Sequence, residues 1–303
     1  MITRDTGRFF SFARGVPADR GPACAKAVFM VSPLGFTLAE QSAHDNRYMR
    51  IGDAVDAQQA LAEHAALQQA IRAHCPVICF PGDAATPDAV FPNNVFATAS
   101  GVSIVGHMRH PVRQRESRRS DIRRFFTDAM AYREIDLSTQ PGICELTGSL
   151  IIDRARGLGF CGLSERCDET GAAAMHAAFG LRATLLFDLA GSEYHTNVVM
   201  SVLASRALVI APSGFADAGV AEAIARFYQP AVMELDAAQK ADYAGNCIAL
   251  SEDALFLSER ACGSLTPPQR RFLEEAGFRL MAVPMPVLEM AGGSLRCCVG
   301  ELF

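Results

Sequence analysis

Leu150-Ile151-Ile152-Asp153 and Gly157-Leu158-Gly159-Phe160-Cys161-Gly162 are two short apolar runs parted by Arg154-Ala155-Arg156, the pattern of paired strands. Asp168 to Phe179 follows with helical periodicity, opened by an acid and closed by Gly180, and Leu185 to Leu189 reads as a further strand. Working outward, the same succession returns. Ala25 to Val31, Val77 to Phe80, Val90 to Thr98, Val102 to Gly106, Val198 to Leu203, Ala207 to Ile210, Cys247 to Leu250, Ala254 to Ser258, Arg279 to Pro284 and Arg296 to Glu301 read as strands. Ala54 to His74, Ser117 to Ala131, Asp217 to Phe227 and Pro267 to Ala276 read as helices. Paired strands followed by a helix thus recur about five times, without strong sequence identity, in an α/β chain.

No Ser/Gly-rich linker divides the 303 residues, so one domain over 21–303 is expected, preceded by an N-terminal extension over 1–20. Half the residues are hydrophobic, enough for a large core, and 33 acids against 28 bases exclude a nucleic-acid partner on charge. The basic run from Arg113 to Arg124 is interleaved with Glu116 and Asp121 and reads for most of its length as a solvated helix face. No apolar stretch reaches the roughly 20 residues that span a bilayer, so no membrane partner is expected. Ten cysteines without CxxC or His/Cys spacing, behind an N-terminus without the pattern of a secretory signal, point to a reducing cytoplasm and to no metal. No phosphate loop or dinucleotide fingerprint calls for a cofactor.

Cys297, in Gly292-Gly293-Ser294-Leu295-Arg296-Cys297-Cys298, is a thiol after a glycine turn and so a candidate nucleophile. Buried free cysteine is an ordinary core residue, so this reading needs a partner. A thiol with a free pKa of roughly 8.5 needs a neighbouring cation or substrate-assisted deprotonation to attack near neutrality, and Tyr194-His195-Thr196-Asn197 offers a base. Cys298, next to Cys297, points to the opposite side if this segment is a strand. Two more segments are polar where strands predict apolar residues: Asp88-Ala89-Val90-Phe91-Pro92-Asn93-Asn94, and Glu145-Leu146-Thr147-Gly148-Ser149.

Taken in order, Asp88 through Phe91 with Asn94, Glu145-x-Thr-Gly-Ser, His195-Thr-Asn and a terminal Gly-Gly-Ser-x-Arg-Cys resemble the pentein superfamily of guanidine- and ureido-modifying enzymes. The likeness runs from about Val28 to Phe303 and is nearest to arginine-deiminase-related citrulline hydrolases, with dimethylarginine dimethylaminohydrolases and arginine deiminases further away. It implies a five-bladed α/β propeller with pseudo-fivefold symmetry and a site in a central channel. It also implies Cys297 as nucleophile, His195 as general acid/base and Glu145 as the acid that holds the histidine. Asp88 falls where such enzymes hold a substrate α-amino group, and Arg113 and Arg166 where they hold its α-carboxylate. Leu146 stands where the family usually has glycine, which raises the expectation of a narrowed channel or an altered backbone angle.

Asn94 and Asn197 depart from the carboxylates that guanidinium-acting deiminases carry at these places. A buried cation is costly without negative charge beside it, whereas an amide both donates and accepts and so suits a neutral ureido group. The expected activity is therefore hydrolysis of citrulline, a small-molecule amino acid, to ornithine, ammonia and carbon dioxide. Arginine deiminase or dimethylarginine dimethylaminohydrolase is the near alternative, and a non-catalytic binding protein on the same fold the distant one. The loop from Pro33 to Arg50 reads as a lid or a plain surface loop, and a homodimer is the usual state for such an enzyme.

Overall fold

The computed structural model describes residues 1–303 and contains five small sheets. In chain order the strands are β1 (Ile2–Thr3), β2 (Ala27–Val31), β3 (Val77–Phe80), β4 (Phe96–Ala99), β5 (Val102–Val105), β6 (Arg133–Asp136), β7 (Leu150–Asp153), β8 (Leu158–Leu163), β9 (Ala183–Asp188), β10 (Met200–Leu203), β11 (Ala207–Ile210), β12 (Val232–Glu234), β13 (Ile248–Ala249), β14 (Ala254–Ser258), β15 (Arg279–Val283) and β16 (Gly300–Leu302). The sheets share one plan. A first strand pairs antiparallel with a second, and the second pairs parallel with a third, as in β4-β5-β6, β7-β8-β9, β10-β11-β12 and β13-β14-β15. Parallel pairing demands a crossover. Helices Glu169–Ala178, Ala218–Tyr228 and Pro267–Glu275 supply it in three of the sheets. In the remaining sheet, β16-β2-β3, the C-terminal strand takes the first place and helix Ala57–Arg72 makes the crossover. The expected α/β architecture is observed.

Local chemistry accounts for these elements. Asp56, Asp168, Asp217 and Thr266 each accept a backbone N–H at the start of a crossover helix, satisfying donors that would otherwise be orphaned. The middle strands β11 and β14 are buried throughout, which is why they read as continuous apolar runs. Residues 1–20 add to the β7-β8-β9 sheet: β1 pairs parallel with β9, and helix Thr6–Ala13 buries Phe9 against Phe160 and Phe10 against Phe227. Burying each ring is worth roughly 1.5–3 kcal/mol. No helix is long and apolar enough to cross a membrane.

Three runs expected as unbroken strands are split. Val90 to Thr98 holds a 3-10 turn, Pro92–Asn94, before β4; Val198 to Leu203 begins inside the helical turn Thr196–Val199; and Arg296 to Glu301 begins inside a 3-10 turn, Leu295–Cys298. The expected helix over 117–131 is broken into a 3-10 turn, a short α-helix and a π-helical turn. The short turns lead into first strands, and each is tied to the one before it. Thr147 Oγ1 donates to Asn93 O (3.1 Å), Thr196 Oγ1 to Ser149 O (2.6 Å), Asn246 Nδ2 to Asn197 O (2.9 Å) and Arg296 N to Asn246 Oδ1 (3.0 Å). Thr98 Oγ1 donates to Glu301 O and accepts from Phe303 N, both at 2.9 Å, which joins β4 to β16 and brings the last turn back to the first.

Candidate active site

Cys297 closes the turn Leu295–Cys298 and is buried. Because the segment is a turn and not a strand, Cys297 and Cys298 do not alternate between two faces; both pack in one core cluster, and Cys297 also lines a cavity. Two amides donate to its Sγ: Asn246 Nδ2 at 3.4 Å and Asn197 Nδ2 at 3.6 Å. His195, fully buried ahead of the turn Thr196–Val199, places Nε2 2.9 Å from Glu145 Oε2. Burial alone raises the Glu145 carboxyl, but Arg166, the His195 hydrogen bond and Arg113 outweigh it and hold it well below the usual range, so it is ionised. An ionised carboxylate only accepts, so Nε2 carries the proton and Nδ1 is a bare lone pair. No protein group reaches that Nδ1. Burial, reinforced by Arg166 and Arg113, depresses His195 against the pull of Glu145, so the ring is neutral at pH 7.

The rest of the constellation is built of ionisable groups, and burial pushes the Asp88 carboxyl up against the pull of Arg113 and the Glu116 carboxyl up to about 7. Asp88 is buried; its Oδ2 accepts from Ser42 Oγ at 2.5 Å, while Oδ1 has no partner. Arg113 is also buried, and its Nε and Nη2 fork onto Glu116 at 2.9 and 2.8 Å, leaving Nη1 outside that pair. Arg166 is saturated. Its Nη1 meets Glu145 Oε2 at 3.2 Å, its Nε meets Asp45 Oδ2 at 2.8 Å, and its Nη2 meets Ser42 O at 2.9 Å and Asp45 Oδ1 at 2.5 Å. The Pro33 to Arg50 loop therefore lies over the site: Asp45 also faces His110 Nε2 (3.1 Å), Asn46 Nδ2 reaches Gly292 O (3.3 Å) and Tyr48 OH reaches Glu193 (2.7 Å).

Asp88, Asn94, Arg113, Arg166, His195 and Cys297 line one small cavity. Buried polar atoms without partners are rare in folded proteins. Along the cavity's lining Asp88 Oδ1, Asn94 Oδ1 and His195 Nδ1 are of that kind and all three are acceptors, while Asn197 Oδ1, also without a partner, belongs to a residue outside that lining. The arrangement suits a small molecule that bears several N–H groups, an ammonium among them. A second small cavity includes Thr147, Ser201 and Cys247 in its lining, and its charged residues Arg154 and Arg296 are both paired with Glu301. No cluster of His, Cys, Asp and Glu is arranged to hold a metal ion.

The narrowing of the channel expected from Leu146 is not observed. Leu146 is fully buried and packs in an apolar cluster with Ala97, Ile104 and Leu150, so it points away from the cavity and does not narrow it. Gly148 is the position with no room: a Cβ there would lie 2.4 Å from Asn94 Oδ1 and 2.8 Å from His195 Nδ1. Gly148→Ala is accordingly expected to displace the histidine and lower kcat at least about tenfold, since small misplacements of catalytic groups cost that much or more. Steady-state kinetics beside a circular dichroism spectrum checks it.

Sequence reading missed Asn246, Ser42 and Asp45. Asn246 stands two residues ahead of its first strand, as Asn94 does, with Asn197 and Cys297 three ahead of theirs, and that recurrence was the available signal. Ser42 and Asp45 carry no local mark, because their partners lie 46 and 121 residues away.

Known proteins resemble this chain in sequence and in fold. The family model of N,N dimethylarginine dimethylhydrolase, eukaryotic, matches residues 32–303. The N(G),N(G)-dimethylarginine dimethylaminohydrolase of Mycobacterium tuberculosis (strain ATCC 25618 / H37Rv) is 26% identical over 299 residues, 98% of this chain and 92% of that protein. Among solved structures, the substrate-bound N-terminal domain of ArgZ, an arginine dihydrolase from the ornithine-ammonia cycle in cyanobacteria, superposes with a TM-score of 0.79 at 18% identity. That match covers 91% of this chain and 97% of the other. A dimethylarginine dimethylaminohydrolase in adduct with S-methyl-L-thiocitrulline gives a TM-score of 0.71 at 19% identity, covering 92% and 100%.

Proposed function

This chain belongs to the N,N-dimethylarginine dimethylaminohydrolase family of the pentein superfamily, hydrolases of non-peptide C–N bonds, and on that premise we propose that it hydrolyses citrulline to ornithine, ammonia and carbon dioxide through a covalent Cys297 intermediate. The observation that carries this reading is the neutrality of the reacting end. The groups around Cys297 and His195 are the amides Asn94, Asn197 and Asn246. The carboxylate bonded to His195, Glu145, is already engaged by His195, Arg166 and the Arg109 N–H, and the cavity's other carboxylate, Asp88, is taken up by the substrate's α-ammonium in this reading. A buried guanidinium would find no free negative charge there, whereas a ureido group finds acceptors for its N–H groups and amide donors for its carbonyl.

The zwitterionic end is met by Asp88, whose unpaired Oδ1 takes the α-ammonium, and by Arg113, whose Nη1 takes the α-carboxylate. Arg166 joins that grip when Asp45 swings away with the loop, and in the meantime fixes Glu145. Cys297 Sγ then bonds the ureido carbon while its proton passes to the neutral His195, and the resulting imidazolium, steadied by Glu145, returns the proton to the departing nitrogen. Amide donors hold the oxyanion in between. A water, deprotonated by His195, releases the carbon from sulfur as a carbamate that loses carbon dioxide. We further read the five sheets as blades of a pseudo-fivefold propeller around this site, with 21–303 as the catalytic domain and 1–20 as an extension of one blade.

An ammonia-release screen over citrulline, arginine, methylarginines and agmatine tests the proposal, with ornithine expected from citrulline. Turnover of arginine or dimethylarginine that stops at citrulline would overturn it in favour of the amidine substrates that the relatives' names carry. Absence of any product would leave a binding protein.

A further inference from the structure

We propose that Asn246 is a positioning residue for the nucleophile, aiming Cys297 and donating to its sulfur as the thiol proton leaves. The inference rests on the reading of Cys297 as nucleophile. It starts from an orientation that chemistry fixes. The Arg296 backbone N–H can only donate, so the Asn246 atom 3.0 Å from it is Oδ1; Asn197 O can only accept, so the atom 2.9 Å from it is Nδ2. One hydrogen of Nδ2 is thereby spent on Asn197 O, and the other faces Sγ at 3.4 Å. The Sγ to Oδ1 distance is longer, 3.8 Å, and Oδ1 is already serving Arg296. The amide is therefore a fixed donor toward the sulfur and a poor acceptor from it. A donor without a competing acceptor favours the charged form of the group it faces.

Asn197 is different. Its Nδ2 lies 3.6 Å from Sγ, but its Oδ1 has no partner, so no second bond locks the amide. His195 makes no hydrogen bond with Sγ; its Nε2 is turned to Glu145. Asn246 is thus the one locked donor on the sulfur. Through the Arg296 N–H it also sets the backbone turn that carries Cys297, so sulfur and backbone are positioned by a single buried amide.

The test is the pH dependence of iodoacetamide alkylation at Cys297, read by peptide mass spectrometry on the full chain. Asn246→Ala is expected to move the midpoint upward by about one unit, the scale of a hydrogen bond to a charged group. Asn246→Asp is isosteric and serves if alanine does not fold; it replaces the donor with a like charge, and the upward shift is expected to be larger. In both, kcat falls more than KM rises. A variant that melts earlier or turns over more slowly with its alkylation midpoint unmoved overturns the inference and leaves Asn246 a purely structural tie. Should Cys297→Ser keep its turnover, the nucleophile reading itself falls, and this inference with it.

Discussion

Cys297→Ser is expected to lower ammonia release from citrulline by at least about 10⁴-fold, the scale seen when a covalent nucleophile is removed, while citrulline still raises the melting temperature. The two readouts separate because the groups assigned to hold the substrate's charges, Asp88 and Arg113, keep their own partners, Ser42 and Glu116. Neither makes a hydrogen bond with the thiol. Little else depends on the sulfur, which makes only long amide contacts at 3.4, 3.6 and 3.8 Å. Selective alkylation of the wild type is the companion result. Burial pushes Cys24 and Cys247 up to about 12 and Cys75 and Cys144 to about 11, so these stay thiols near neutrality and react slowly. A haloacetamidine shaped to enter the cavity is expected to mark Cys297, and citrulline to protect it. Retained turnover in the serine variant would rule out covalent catalysis.

The parts of this site that were legible in the sequence are those written in a few adjacent residues. Cys297 after a glycine pair, His195 beside Asn197, and Glu145 two residues before Thr147 each sit in a polar turn that interrupts an apolar pattern. What stayed hidden depends on distance or direction. The saturation of Arg166 comes from Asp45, 121 residues earlier, and from Glu145, so its charge is partly spoken for in a way that no local pattern reports. Leu146 looked obstructive because spacing gives no side-chain direction at a turn; its neighbours Ala97 and Ile104 take it into the core. Asn246 went unread because its partners, Asn197 O, Arg296 N and Cys297 Sγ, lie 49, 50 and 51 residues away. The missed strands β6 and β12 show the same limit. Each is an outer strand, and β6 carries Glu134 and Asp136, both paired with Arg123, so its composition reads as solvated loop even though it hydrogen-bonds to β5. The four helical turns ahead of first strands, Pro92–Asn94, Leu146–Ser149, Thr196–Val199 and Leu295–Cys298, were unreadable as such, since three or four residues of helix leave no periodic trace, yet the ties that run through them and Asn246 are what assemble residues from all five sheets.

Glu145→Gln is expected to cut kcat by about 10³-fold or more, the scale found when the carboxylate behind a catalytic histidine becomes an amide. The carboxylate has three tasks, since it accepts from His195 Nε2, Arg166 Nη1 and the Arg109 N–H. Glutamine keeps the shape but puts an N–H group against either a guanidinium or the ring, and it no longer stabilises the imidazolium that forms as the thiol proton is taken up. The pH profile distinguishes this from a simple loss of fit. In the wild type His195 lies below its ordinary 6.5, so the acid limb of kcat/KM is expected below that value. Both effects that raise His195 come from Glu145, and what remains without it, burial with Arg166 and Arg113, lowers it. The limb should therefore move further toward acid in the variant even as the plateau collapses. Stability follows the same signs. Glu145 is depressed in the folded chain, so its contribution is fully present above the ordinary 4.5 and fades as the pH falls from there. His195 binds its proton more readily when unfolded, so below 6.5 acid favours the unfolded chain. Melting temperature against pH should show Glu145→Gln losing the first slope and keeping the second. Breaking the buried pair with Arg166 adds a cost of about 3–5 kcal/mol, which is greatest at neutral pH, where the wild-type carboxylate is fully ionised. An acid limb that stays in place or moves toward neutrality would detach Glu145 from His195 and remove the carboxylate from the proposed proton path.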